Sequence, residues 1–236
     1  MMKIGEQRIL GINGAEFSIS VGIRENGVPK GSIYMNDGSP GSETLLSSID
    51  QLLRMLSIKQ VDLEGICIIL GPGSFTSLRV SLAVAQAMGL ALNIPVYGID
   101  NLRLIAATVP HYPHPIKVIQ NAYKGEFYTA TYSFSENSVT ILEEMKMIRP
   151  QDFYENLKEN DLILGNAVEK MLTMEYDLDS RKVKWNNDFH REVSGISVIE
   201  YFKNQEAQPP SDVPLEPIYI RLSDAEINYK SQFGQS

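Results

Sequence analysis

One cysteine and one tryptophan occur among the 236 residues. Cys67 therefore has no disulfide partner in the sequence, which fits a reducing compartment. It lies in the apolar run Gly65-Ile66-Cys67-Ile68-Ile69-Leu70, where a small buried residue is its simplest role. Positive charge is scarce too. There are 21 Lys and Arg against 29 Asp and Glu, a formal net charge of -8. An acidic surface repels a phosphate backbone, so the chain alone is not expected to grip nucleic acid. Histidine occurs three times. His111 and His114 sit in a proline-broken stretch and cannot share a helix face as metal ligands do; they read as exposed linker residues. With His190 they give no metal set and no base for a serine nucleophile. Ser74 lies in Gly73-Ser74-Phe75-Thr76, not in a Gly-x-Ser-x-Gly elbow. A membrane span needs about 18 uncharged apolar residues, and even the apolar segment after Thr76 carries Arg79, Ser81 and Gln86. Met1 to Gln7 lacks the apolar region of a signal peptide. These absences predict a cytoplasmic protein without a membrane contact.

What is present is enough apolar material for a core. Hydrophobic residues make up 43% and charged residues 21%. The length suits one large domain or two ordinary ones. Arg8 to Asn13 and Glu16 to Arg24 read as strands. Asn26-Gly27 is a strong hairpin signal, because both residues tolerate positive φ. A third strand should run from Val28 to Met35. Gly38-Ser39-Pro40-Gly41 breaks the pattern, and Ser42 can cap a helix over Glu43 to Leu56. Its leucines and Ile49 recur at three and four residue spacing as a broad apolar stripe. Ile66 to Leu70 is uniformly apolar, as in a strand covered on both faces. A helix over Ser77 to Leu92 and a strand over Pro95 to Ile99 follow, which implies a right-handed parallel crossover. Asn101 to Val109 reads as helix.

Pro110, Pro113 and Pro115 mark the best domain boundary, dividing the chain into lobes of residues 1–109 and 110–236, with the last segment a candidate to return to the first lobe. Strands are expected over Ile116 to Asn121, Glu126 to Phe134 and Ser138 to Met147. Then come a helix from Pro150, a strand over Asp161 to Leu164, a helix over Ala167 to Met174 and a helix over Val193 to Phe202. Gln205 to Pro214 reads as a proline-rich loop, and Glu216 to Leu222 as a closing strand. Both halves place antiparallel strands before strands alternating with helices. That order suggests a duplicated α/β unit without detectable identity between the halves.

One loop stands where an anion would bind. Gly71-Pro72-Gly73-Ser74-Phe75-Thr76-Ser77-Leu78-Arg79 joins a buried strand to a helix whose first amides point outward. Gly71, Gly73, Ser74, Thr76 and Arg79 are the candidate anion or nucleotide residues. The loop lacks the Lys-Ser/Thr ending of a P-loop and the three-glycine spacing of a dinucleotide fingerprint. Glu143-Glu144 and Asp177-Asp179 read as solvated charge. Phe127, Tyr128, Tyr132 and Phe134 read as strand packing.

Gly71 to Arg79 resembles the GPGSFTGLR stretch of the TsaB family, with Ser77 where that family usually has glycine. The similarity continues through Ala83, Gly89, Leu90 and Asn93-Ile94-Pro95-Val96. It returns at Asn121-Ala122-Tyr123-Lys124-Gly125-Glu126-Phe127-Tyr128, at Leu215 to Arg221 and at Asp224-Ala225-Glu226. The resemblance implies a two-lobed α/β fold of the actin, sugar-kinase and Hsp70 (ASKHA) type. It implies a non-catalytic subunit without cofactor or metal that binds TsaD, with TsaE in a larger complex. Such a subunit meets tRNA only through the complex and can form a homodimer when alone. It supports transfer of a threonylcarbamoyl group to the adenosine beside the anticodon. In the family, the first two helices form the partner contact. Here Leu45, Ile49 and Leu52 of the first, and Ala83 and Ala87 of the second, are the candidate contact residues. Two departures count against nucleotide hydrolysis. Asn13 stands where an acidic residue is usual, and so does Asn121. Asn13 and Gly14 could also simply make a turn. The competing reading is an independent ATPase or phosphotransferase of the same superfamily.

Overall fold

The computed structural model describes residues 7–15, 18–36, 41–122, 124–135, 138–174, 176–186, 193–203 and 215–220. Several sequence expectations lie outside them: Glu16-Phe17, Gly38-Ser39-Pro40, Tyr123, His190, the Gln205 to Pro214 loop, and everything from Arg221 onward. The side chain of Ser42, the expected cap, lies outside them too.

Two five-stranded sheets repeat one plan. In the first half β1 (Ile9–Asn13), β2 (Ile19–Glu25) and β3 (Val28–Met35) form an antiparallel ribbon. Then follow α1 (Gly41–Met55), β4 (Gly65–Gly71), α2 (Phe75–Leu92), β5 (Val96–Asp100) and α3 (Asn101–Ala107). The second half repeats the series with β6 (Ile116–Asn121), β7 (Phe127–Ser135), β8 (Ser138–Ile148), α4 (Pro150–Glu155), β9 (Leu162–Leu164), α5 (Val168–Thr173), β10 (Lys184–Asn186) and α6 (Gly195–Lys203). The sheet orders correspond: β3-β2-β1-β4-β5 and β8-β7-β6-β9-β10. Strands β1, β4 and β5 run parallel, as do β6, β9 and β10. This is the two-lobed plan, each lobe a mixed sheet with helices, that the resemblance implies.

Local chemistry sets the joints. Asn26 and Gly27 take φ of 49° and 78°, the hairpin geometry their side chains permit. Asn93, at φ 53°, ends α2 in the left-handed cap position. Asp100 caps α3 by accepting the Arg103 amide at 2.6 Å.

The last helix of each half crosses over. Helix α6 packs on β1, β2 and β4 of the first sheet, while α3 packs on β6, β7 and β8 of the second, and the two helices touch. The middle layer is therefore shared, and Tyr97, Leu102, Ile105, Tyr132, Ile199 and Phe202 bury there in one cluster. Helices α1 and α2 cover the outer face of the first sheet over Leu10, Ile12, Val21, Ile23 and Ile68. Helices α4 and α5 cover the outer face of the second over Ile119, Phe127 and Ile163.

By length and apolarity alone α2 passes as a membrane span, with mean hydropathy 1.4 over 18 residues. Its Ser77, Leu78, Ser81, Leu82, Ala85 and Gly89 edge is buried in the fold instead.

Two expectations need correction. Strand β10 was not foreseen, since Lys184-Trp185-Asn186 is too short and polar to show a period. In the described part of the expected strand over Glu216 to Leu222, residues 215–220 carry no ladder. β4 is already paired on both edges, by β1 and β5. Only at its end, where the register shifts between Ile69 and Gly71, does the Leu70 carbonyl accept the Ile218 amide, at 2.8 Å.

Candidate functional site

The glycine loop folds against the chain's own backbone. The Ser74 amide donates to the Ala15 carbonyl at 2.7 Å, so one of the expected anion donors is already committed. A Cβ on Gly73 would lie 1.9 Å from that same carbonyl oxygen, which is why glycine is required there. Gly71 has φ +126° and lies under the Ile218 carbonyl. Ser77 donates its hydroxyl to Ser74 Oγ at 3.2 Å, and Ser81 donates to the Ser77 carbonyl at 2.8 Å. Thr76 and Arg79 are exposed at the start of α2.

Arg79 is not directed at an empty loop. Its Nε donates to the Tyr219 hydroxyl at 2.8 Å, and its guanidinium lies 3.9 Å from the centre of the Phe75 ring. Phe75 and Tyr219 stack with centroids 4.4 Å apart. Further along, Gln86 Nε2 donates to the Leu215 carbonyl at 2.7 Å. Residues 215–220 thus form a strap along α2, held by Gln86, Arg79 and Leu70. Arg79 is legible in the sequence but this clamp is not, because residues 140 apart in the chain leave no local pattern.

The outer face of α2 is a row of small residues. Ala83, Ala87 and Ala91 are exposed, and Leu90 is 86% exposed. The candidates on α1 are placed differently. Leu45, Ile49 and Leu52 are only 1–2% exposed and pack with Leu10, Val21 and Ile66 under the sheet. Each such side chain is worth about 1.5–3 kcal/mol buried, so they cannot turn outward to meet another protein. The outward apolar positions of α1 are Leu46 at 60% and Met55 at 70%. The adjacent pair Leu45-Leu46 hid this, since only one of two neighbours can face the sheet.

Asn13 ends β1 and makes two bonds. Its Oδ1 accepts the Ala15 amide at 3.3 Å, which is the turn reading. Its Nδ2 donates to the Val193 carbonyl at 2.7 Å, just ahead of α6. Gly11 and Gly22 are register partners beneath that helix. A Cβ on Gly11 would lie 1.8 Å from the Gly195 carbonyl oxygen. The Gly195 amide donates to Ser20 Oγ at 3.0 Å. Asn121, the last residue of β6, donates its backbone amide to Asn166 Oδ1 at 2.9 Å, and its Oδ1 accepts Lys170 Nζ at 3.3 Å.

Between the lobes lies a cavity of about 290 Å³ lined by Leu104, Phe134, Val139, Ile196, Glu200 and Tyr201, among others. Glu200 Oε1 lies 3.2 Å from Nε of Arg24, a residue only 2% exposed. Nearby, Tyr132 donates to Asp100 at 3.3 Å. Burial pushes the Asp100 carboxyl above its ordinary value, and it also raises the Tyr132 and Tyr201 hydroxyls. Burial likewise raises the Cys67 thiol, so this cysteine is no thiolate nucleophile. Among the described residues no three His, Cys, Asp or Glu side chains come together to hold a metal ion. His111 meets the edge of Phe134 at 5.2 Å and His114 that of Tyr112 at 5.9 Å.

A family model described as "TsaD: tRNA N6-adenosine threonylcarbamoyltransferase" matches residues 41–206. The chain is 27% identical over 188 residues to the tRNA threonylcarbamoyladenosine biosynthesis protein TsaB of Bacillus subtilis, covering 78% of this chain and 81% of that one. It is 26% identical over 157 residues to the protein of the same name from Escherichia coli, covering 64% and 67%. Among solved structures, YeaZ from Pseudomonas aeruginosa superposes with a TM-score of 0.70 at 17% identity, over 90% of this chain and 99% of that one. An uncharacterized protein with similarity to peptidase YEAZ, from the same organism, gives 0.73 at 17% identity, over 91% and 100%. At that identity the superpositions establish the fold.

Proposed function

Because the chain belongs to the tRNA N6-adenosine threonylcarbamoyltransferase family, as one of its TsaB (YeaZ-like) members, we propose that it is a non-catalytic subunit in the biosynthesis of threonylcarbamoyladenosine on tRNA, acting by binding TsaD. In that role it supports transfer of the threonylcarbamoyl group to the adenosine beside the anticodon. TsaE joins the larger complex, and tRNA is met only through it. Left alone, the same face pairs two copies of this chain.

The observation that carries the reading is the outer face of α2. A soluble helix does not leave Leu90 at 86% exposure beside Ala83, Ala87 and Ala91 without reason. Small side chains let a second helix come close, and Leu46 and Met55 of α1 add apolar area at the flank. Apolar contact gives about 25 cal/mol for each Å² removed from water, so an interface of ordinary size needs no charge pair. The loop supports the same reading from the other side. Ser74 and Gly73 are engaged by Ala15, and Arg79 by Tyr219. At β1, Asn13 spends its amide on Val193.

The test is co-expression with TsaD from the same organism. A stoichiometric complex that modifies tRNA, with no modification and no ATP turnover by this chain alone, is the expected result. ATP turnover that follows this chain through purification would establish a phosphotransferase instead.

A further inference from the structure

The duplicated plan breaks at one place. Helix α1 has 15 residues and roofs the outer face of β1, β2 and β3; its counterpart α4 has six and ends at Glu155. The uncovered part of the second sheet is polar. Where the first sheet pairs Leu10 with Ile23, the second pairs Lys117 with Thr131. The next partners out on β8 are Glu143 opposite Thr131 and Lys146 opposite Thr129. These residues line a cavity of about 140 Å³, with Phe153, Asn156 and Lys158 at its side.

The floor carries a lysine whose stem is buried in the sheet. Lys117 is 7% exposed, and Thr129 and Thr131 are 4% and 5% exposed. The nearest carboxylate oxygen to Lys117 Nζ is Asp161 Oδ2, 3.8 Å away and beyond hydrogen-bond distance. That oxygen already accepts the Lys158 amide at 2.9 Å. An ammonium on the wall of a partly enclosed cavity, with its carboxylate partner 3.8 Å away, favours an anion that can enter and reach it. The lining holds three lysines against one carboxylate, within a chain whose net charge is -8.

We propose that this pocket binds hydrogen-phosphate as the free ion. Lys117, Lys146 and Lys158 supply the charge, and the Thr129 hydroxyl a donor at the floor. Glu143 fixes which oxyanion fits. Its Oε2 accepts the Thr131 hydroxyl at 3.2 Å and lies 3.6 Å from Lys146 Nζ. Burial raises this carboxyl, but Lys117 and the Thr131 bond outweigh that and hold it below the usual range, so it is an acceptor at neutral pH. A hydrogen-phosphate has a P–O–H to give it. Sulfate, fully ionised, has none, and leaves two anions face to face.

Isothermal titration of the full chain with phosphate, glycerol 3-phosphate and sulfate tests this. Phosphate should bind saturably and at least about tenfold tighter than sulfate. Glycerol 3-phosphate, at neutral pH mostly a dianion without a P–O–H, should bind no better than sulfate, and binding as tight as phosphate would overturn the role of Glu143. Glu143→Gln should narrow the preference over sulfate. Lys117→Met should abolish binding, and exposed Lys158→Met should weaken it with an unchanged melting temperature, which separates lost binding from lost fold. No saturable phosphate heat, equal affinity for sulfate, or undiminished binding in Lys158→Met and Lys146→Met combined would overturn the proposal.

Discussion

The side-chain amide of Asn13 donates to the backbone carbonyl of Val193 at 2.7 Å, across 180 residues of sequence. It ties the end of β1 to the start of α6, and so ties the first sheet to a helix contributed by the second half. An aspartate has no donor for that carbonyl. Asn13→Asp should therefore lower stability by about 1–3 kcal/mol, the cost of an unmade bond plus two facing oxygens. Denaturant unfolding measures it. An unchanged midpoint would show that the bond does not hold the lobes.

The close crossing beneath α6 gives a harsher case. A methyl on Gly11 would sit 1.8 Å from the Gly195 carbonyl oxygen, and that obstacle is backbone. Gly11→Ala should cost about 3 kcal/mol or more, since α6 must lift off the sheet. Gly125→Ala is the control. It meets nothing within 4 Å, though φ is +87°, so its cost is limited to local strain. Equal melting temperatures for the two variants would contradict the packing described.

Asp100 sets a pH dependence. Burial raises its carboxyl above the unfolded value of 3.8. The folded state then holds its proton more tightly than the unfolded one. The contribution is present in full below pH of about 4 and is lost as pH rises through the folded value. Asp100→Asn keeps the cap on the Arg103 amide and removes the titration. Wild type should lose stability relative to the variant on going from pH 4 to neutral. A difference that is constant over that range would contradict it.

The strap over α2 can be tested as a pair. Tyr219 stacks on Phe75 at 4.4 Å and accepts from Arg79 at 2.8 Å. Tyr219→Ala and Arg79→Ala should each cost about 1 kcal/mol, with a coupling of about 0.5 kcal/mol or more in the double variant. Strict additivity would mean that the two side chains do not share this contact.

The sequence was most readable where local chemistry decides. The hairpin at Asn26-Gly27 gave β3 residue for residue, and the order of strands and helices repeats between the halves as the sequence suggests. It was least readable where distant chain meets. Gly11 and Gly22 look like interruptions in apolar strands until α6 is laid across them. The Leu45-Leu46 pair and the strand β10 failed for want of a clean period. The strap failed because Arg79 finds Tyr219 only in three dimensions.

The central claim is that the outer face of α2 is where a partner helix docks. Ala87 is exposed on that face, so Ala87→Arg should melt as the wild type does. A pull-down of TsaD beside that melt is the most direct measurement. The account predicts normal folding with binding and tRNA modification lost together. Binding at wild-type strength by a folded Ala87→Arg would contradict it.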